Sequence, residues 1–292
     1  RQLMFHVTFT IKKLPLYKKV LYAVVGSYCV YERIYLKEKS KFNAYTTSEE
    51  AINGIDLNGK CAIVTGCNTG IGYETARVLA KQGACVVMAC RNVNQANRAR
   101  DKITKILKLP NGDNIIVMEL DLASLNSVYN FCKQFMGKGL NIDYLINNSG
   151  VMALPQYTET SDGYEKQFQV NHLSHFYLTH LLLPKLKESK ARVISVSSTA
   201  HAEYLPDYKT MDSLLDYCND NGCFMGDKQS DYEPRYNYGI SKLSNLLFAR
   251  RLHELYHKDG IVSVSCHPGF VPIELARNVP ILKFIGLLLR WV

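Results

Sequence analysis

Runs of valine, isoleucine and leucine recur along this chain, near Ala62–Val64, Cys85–Ala89, Ile115–Leu120, Tyr144–Asn147, Val193–Val196 and Val262–Cys266. Several lack the in–out alternation of a strand with one wet face. They predict parallel strands covered on both sides. Between them, apolar residues return at helical spacing over Tyr73–Gln82, Gln95–Leu107, Leu125–Met136, Gly163–Leu186 and Tyr236–Tyr256. Strand and helix in alternation predict an α/β fold, a doubly wound, Rossmann-like parallel sheet with helices on both faces. The rhythm fails from His201 to Pro234, a stretch rich in Asp, Asn, Gly and Tyr. A loop this long either serves a function, such as rimming a substrate entrance, or is a surface excursion.

Ahead of the first strand, Val20–Tyr31 is apolar and rimmed by aromatic residues. Lys12, Lys13, Lys18 and Lys19 precede it, and Arg33, Lys37, Lys39 and Lys41 follow. It falls short of the ~20 apolar residues a spanning helix needs and lacks a signal-peptide cleavage site. Two readings stay open: an interfacial anchor on a membrane surface, or a helix packed on the protein body. The chain is therefore divided into a basic and apolar segment, residues 1–50, and a domain, residues 51–292. The net charge of +9 invites a nucleic-acid partner, but no nucleic-acid motif accompanies it. Nine cysteines, an odd number without a Cys-x-x-Cys pair, argue against structural zinc and for buried thiols in a reducing compartment. Cys218 and Cys223 are the one loop pair that could join.

Four motifs carry chemistry. Thr65-Gly66-Cys67-Asn68-Thr69-Gly70-Ile71-Gly72 follows a strand pattern and opens a helix pattern. Gly66 suits a tight turn, while Gly70 and Gly72 let backbone approach a pyrophosphate at the positive helix N-terminus. Asn147-Asn148-Ser149-Gly150 and Ser195-Val196-Ser197-Ser198 place small polar groups at the carboxyl ends of strands, where open α/β sheets bind ligands. Tyr238 and Lys242 share one helix face. A nearby ammonium favours the phenolate, which suits a group that gives or takes a proton in carbonyl–carbinol redox chemistry.

In this order, with Asp121-Leu122 and His267-Pro268-Gly269, the motifs resemble the short-chain dehydrogenase/reductase family from about Leu57 to about Leu275. The branch they resemble most is that of the retinol dehydrogenases and the WW-domain-containing oxidoreductase. The matching stretches are Asn68–Gly72, Ala89–Asn92, Gln169–Phe176 and Ser241–Asn245; no WW-domain pattern is present. The resemblance implies a catalytic tetrad of Asn171, Ser198, Tyr238 and Lys242. Tyr238 exchanges the proton, Lys242 tunes it and holds the nicotinamide ribose, Ser198 (rather than Ser197) binds the substrate oxygen, and Asn171 holds a water leading to Lys242. It implies adenine contact from Asp121 and Leu122, ribose contact from Asn148 and Gly150, and closure over the nicotinamide by Pro268 and Gly269. The family continues through a further helix and a seventh strand beyond the point where this chain stops.

Charge favours NADP over NAD. NAD enzymes place a carboxylate after the second strand, where this chain has Cys90-Arg91-Asn92, and Arg91 can pair with a 2′-phosphate. No metal is called for, and a core or capping role is expected of His172 and His175. Met152, Leu154, Phe270, Val271 and Ile273 are expected to line an apolar pocket for a lipophilic carbonyl or alcohol, whether retinoid, steroid or lipid aldehyde. A soluble reductase of small carbonyls is a second enzyme reading. An NADP-binding scaffold or redox sensor is the non-enzyme alternative. The resemblance also suggests a homodimer through the helices of Asn171 and Tyr238, whereas a membrane anchor would favour a monomer. The expected location is the cytoplasmic face of an intracellular membrane, endoplasmic-reticulum-like, or the cytoplasm.

Overall fold

The computed structural model describes residue 42 and residues 46–109, 114–203 and 232–269. The apolar segment 20–31 and most of the long loop, residues 204–231, lie outside them. So do Cys29, Cys218, Cys223, Phe270, Val271 and Ile273. The chain divides into two compact units, Arg1–Asn53 and Gly54–Val292. In the first, α1 (Ser48–Ile52) begins in a capping box. The Thr47 hydroxyl accepts the Glu50 amide at 3.2 Å, and the Glu50 carboxylate accepts the Thr47 amide at 2.7 Å. No helix among the described residues is long and apolar enough to cross a membrane.

The second unit alternates as expected. Its first half runs β1 (Cys61–Thr65), α2 (Gly70–Lys81), β2 (Cys85–Cys90), α3 (Val93–Leu107), β3 (Ile115–Glu119), α4 (Leu125–Met136) and β4 (Tyr144–Asn147). Then come α5 (Lys166–Phe168), a π-helical turn (Gln169–Leu173), α6 (Ser174–Glu188), β5 (Arg192–Val196), α7 (Ala200–Glu203), α8 (Pro234–Tyr256) and β6 (Val262–Cys266). The strands form one sheet in the order β3-β2-β1-β4-β5-β6, parallel at every pairing. All five residues of β1 are buried, as continuous apolar runs in a doubly covered sheet require. The order reverses between β1 and β4, and the crevice beyond their carboxyl ends is where such sheets bind ligands. The core joins Ile63, Val87, Leu145 and Val193 from the sheet to Phe131, Phe135, Leu178 and Leu182 from α4 and α6.

The single helix expected over 163–186 is broken up. A bridge between Glu159 and Glu165 closes a turn with Gly163 at φ 83°. α5 starts only where the Glu165 carboxylate accepts the amides of Gln167 and Phe168, at 2.9 and 2.7 Å. The π turn that follows shifts the helical register by one residue, and Asn171 lies within it. The other boundary differences are small: α2 begins at Gly70 rather than Tyr73, and β3 ends one residue before Leu120.

Candidate active site at the carboxyl ends of the strands

The turn between β1 and α2 is built around missing side chains. Gly66 and Gly70 have φ of 63° and 59°, a region L side chains resist. A Cβ on Gly72 would lie 2.5 Å from the Gly66 carbonyl oxygen and 2.5 Å from Asn148 Nδ2. The protein's own packing therefore already requires a glycine at position 72. Thr69 caps α2 without a side-chain bond, and the first-turn amides of an α-helix have no intrahelical acceptor, which suits them to an anion. Asn148 holds this turn closed, its Nδ2 donating to the carbonyls of Thr65 at 2.8 Å and Gly66 at 3.3 Å. Its side chain is thereby engaged, and its backbone amide donates to the Thr65 hydroxyl at 3.0 Å. Ser149 puts its hydroxyl in the space a Gly66 Cβ would take, 2.5 Å from that position.

The other residues expected to contact the nucleotide follow the carboxyl ends of β2, β3 and β6. Arg91 is exposed just past β2. The Asp121 carboxylate accepts the Ala123 amide at 2.9 Å. The Leu122 side chain belongs to the hydrophobic core, and its carbonyl accepts the Ser174 hydroxyl at 2.6 Å. Pro268 and Gly269 follow β6, with Gly269 at φ 84°.

α8 begins with Pro234 in its first turn and the Glu233 carboxylate accepting the Arg235 amide at 3.2 Å. Asn237 to Lys242 are all buried. Tyr238 is 3% exposed, and Lys242 Nζ lies 5.6 Å from its ring centroid. Lys242 donates to the Val196 carbonyl at 2.9 Å, and burial pulls its pKa down to about 8. Lys242 thus stays mostly protonated at neutral pH. A Cβ on Gly150 would lie 3.6 Å from Lys242 Nζ and 3.2 Å from Asn171 Oδ1. The Asn-Asn-Ser-Gly turn and two members of the expected tetrad therefore meet. The two serines separate by environment. Ser197 is buried and its hydroxyl donates to the Lys242 carbonyl at 2.7 Å, whereas the half-buried Ser198 accepts the Ala200 amide at 3.2 Å.

Asn171 is more heavily engaged than its motif suggests. Its Oδ1 accepts the Val151 amide at 2.8 Å, and its Nδ2 donates to the Val151 carbonyl and the Ser241 hydroxyl, each at 2.9 Å. A water on Asn171 would therefore use the backbone carbonyl. Ser241, which donates to the Tyr238 carbonyl at 2.7 Å, and Asn245, which shares the Val196 carbonyl with Lys242 at 3.1 Å, are site-supporting residues the motifs did not single out. Their three-residue offsets from Tyr238 and Lys242 were the available signal.

His175 is 2% exposed, and burial, with Lys242 and His172 as nearby charges, pulls its pKa down to about 3. A depressed folded-state pKa gives stability that is complete above about 6.5 and is lost as pH falls toward 3. Glu165 runs the opposite way. Burial raises its pKa to about 7, so its contribution is complete below about 4.5 and lost as pH rises through 7. Urea midpoints measured from pH 7 to pH 4 should fall more steeply for the wild type than for His175→Phe, and equal slopes would show that His175 does not resist protonation.

The family model for short chain dehydrogenases matches residues 60–209. Retinol dehydrogenase 11 of Mus musculus is 38% identical over 246 residues, 84% of this chain and 72% of that protein. Retinol dehydrogenase 12 of Mus musculus is 40% identical over 225 residues, 77% of this chain and 65% of that protein. The WW domain-containing oxidoreductase of Gallus gallus is 38% identical over 232 residues, 79% of this chain. The chain spans just under two thirds of the length of retinol dehydrogenase 12 and about half of the avian protein, 53%. Among solved structures, the RhlG/NADP complex of Pseudomonas aeruginosa shares the fold, with a TM-score of 0.57 at 23% identity over 77% of each chain. An uncharacterised protein of Mycobacterium paratuberculosis has a TM-score of 0.58 at 33% identity, over 78% of this chain and 74% of that one. With the sheet order, the glycine turn and the buried Tyr238–Lys242 face all in place, these similarities make the chain a member of the short-chain dehydrogenase family, on the retinol dehydrogenase side of it.

Proposed function

We propose that this chain is an NADP-dependent oxidoreductase acting on the carbonyl or alcohol of a lipophilic substrate. The observation that carries this is the meeting of Lys242, Asn171 and Gly150 beside the buried Tyr238, at the end of the sheet where the glycine turn opens. The residues present fit a dinucleotide. The turn between β1 and α2 offers uncapped amides to phosphate, and the guanidinium of Arg91 suits a 2′-phosphate where a carboxylate would repel it. When bound, the nicotinamide supplies or accepts the hydride.

The chain's own residues manage the proton and the geometry. Tyr238 gives its proton to the carbonyl oxygen in reduction and takes it back in oxidation. Lys242, charged and close to the ring, favours the phenolate that remains and reaches toward the ribose hydroxyls. Ser198 donates to the substrate oxygen as negative charge gathers there. Asn171 sets the π turn against Val151 and Ser241, so the face opposite Lys242 keeps its shape. Met152 and Leu154 line the apolar approach, in keeping with a lipid carbonyl and with the names of the mouse relatives. The basic and apolar segment before residue 42 supports a membrane-surface location.

A carbonyl panel with NADPH and NADH, spanning retinal, steroid ketones and long alkanals, tests the reading. NADPH oxidation should be fastest with the lipophilic carbonyls, and no turnover across the panel would remove the enzyme reading. Arg91→Glu should lower NADPH affinity about tenfold to a hundredfold, the worth of a charged hydrogen bond, while leaving NADH binding intact. An unchanged preference for NADPH would show that Arg91 does not meet the 2′-phosphate.

A further inference from the structure

We propose that His175 is a positioning residue that joins the nucleotide-side turn to Asn171 through one directional chain of hydrogen bonds. The inference rests on the oxidoreductase reading of the same site. His175 Nδ1 lies 3.0 Å from the Asn171 carbonyl oxygen. A carbonyl only accepts, so Nδ1 carries the hydrogen. In the neutral ring Nε2 is then an acceptor, and it lies 2.9 Å from the Thr65 hydroxyl. That hydroxyl has one proton. Its other acceptor, the Ile146 carbonyl, stands at 3.5 Å, so the proton goes to the ring. The Thr65 oxygen is left to accept, and it takes the amides of Asn148 at 3.0 Å and Ser149 at 2.9 Å.

Every bond in the chain points the same way. The Asn148 and Ser149 amides donate to Thr65, Thr65 donates to His175, and His175 donates to Asn171. The two ends are the turn expected to meet the cofactor ribose and the residue expected to order the proton path, so a shift at one is felt at the other. A second tie braces the same helix. The Thr179 hydroxyl donates to the His175 carbonyl at 2.8 Å and accepts from Asn147 Nδ2 at 3.3 Å. An imidazole suits this place because it offers one donor and one acceptor on opposite sides of a rigid ring. Burial, which keeps the ring neutral, preserves that asymmetry. Protonation would make both nitrogens donors and reverse the middle bond.

The test combines the unmodified protein with three variants. In histidine-¹⁵N-labelled wild-type chain, the His175 ring should show a protonated Nδ1 and a bare Nε2 from pH 8 down to about 5. The Nε2-protonated tautomer would overturn the proposal without any mutation. NADPH affinity should then be measured for Thr65→Val, His175→Phe and the double variant. The double variant should be no weaker than the weaker single within about twofold, because either change cuts the same chain. Independent, additive losses would also overturn it. With a carbonyl substrate, His175→Phe should lose about tenfold to a hundredfold in kcat, as a displaced catalytic group does, with KM moving much less. A chain that binds NADPH yet reduces no carbonyl would sink the oxidoreductase reading alone, since tautomer and affinity coupling are read without turnover.

Discussion

Tyr238→Phe is expected to lower turnover by about a hundredfold to ten-thousandfold, the usual contribution of a positioned acid–base group, while NADPH affinity stays near the wild-type value. The phenyl ring keeps the shape that fills this buried position, where Tyr238 is 3% exposed. The bond from Ser241 goes to the Tyr238 backbone carbonyl and survives the change. Lys242 remains held by Val196. What disappears is the hydroxyl proposed to exchange a proton with the substrate oxygen. Steady-state kcat together with a fluorescence titration of NADPH checks both halves. Unimpaired turnover would move the proton to another group, and a partner-dependent effect that outlived the loss of turnover would favour a scaffold role instead.

Gly72→Ala is expected to damage the nucleotide site from within. The added methyl would lie 2.5 Å from the Gly66 carbonyl oxygen and 3.0 Å from Cys67 Cα. Those are backbone atoms, which cannot rotate aside. The same methyl meets Asn148 Nδ2, the group that pins the Thr65 and Gly66 carbonyls. Overpacking of this kind costs about 1–3 kcal/mol in the folded chain, and a turn that shifts to relieve it should lose roughly tenfold to a hundredfold in NADPH affinity. A thermal midpoint lowered by several degrees should accompany it. Wild-type affinity and melting in the alanine variant would mean that the turn between β1 and α2 yields freely, and that its glycine spacing is not a packing requirement.

The supports of Tyr238 and Lys242 were less legible than the pair itself. A gap of four residues on a helix is visible in any listing of the chain, whereas the bond from Asn171 to Ser241 spans a separation of 70 residues. The link from Thr65 to His175 spans 110. Asn171 could be picked out by its motif, but its side chain turned out to serve Val151 and Ser241. The π turn that carries it interrupts a region whose apolar spacing reads as one continuous helix. His175 read as a core residue, and it is buried. Its two ring bonds give that burial a direction that no spacing rule contains.

Short-range physics was enough for the sheet and its winding. Side-chain periodicity, turn chemistry and the excess of branched residues act over a few positions, so the alternation of β1 to β6 with the intervening helices could be read in order. The family likeness rests on the same local strings. Packing had to settle the rest. It buried Ser197 against the Lys242 carbonyl and left Ser198 half-buried, although the two are neighbours in the chain. It also settled why Gly72 bears no side chain, and which nitrogen of His175 meets a carbonyl and which a hydroxyl. Those outcomes depend on atoms brought within 3 Å by the folded sheet, and residues 70 or 110 positions apart are held at hydrogen-bonding distance only by the fold.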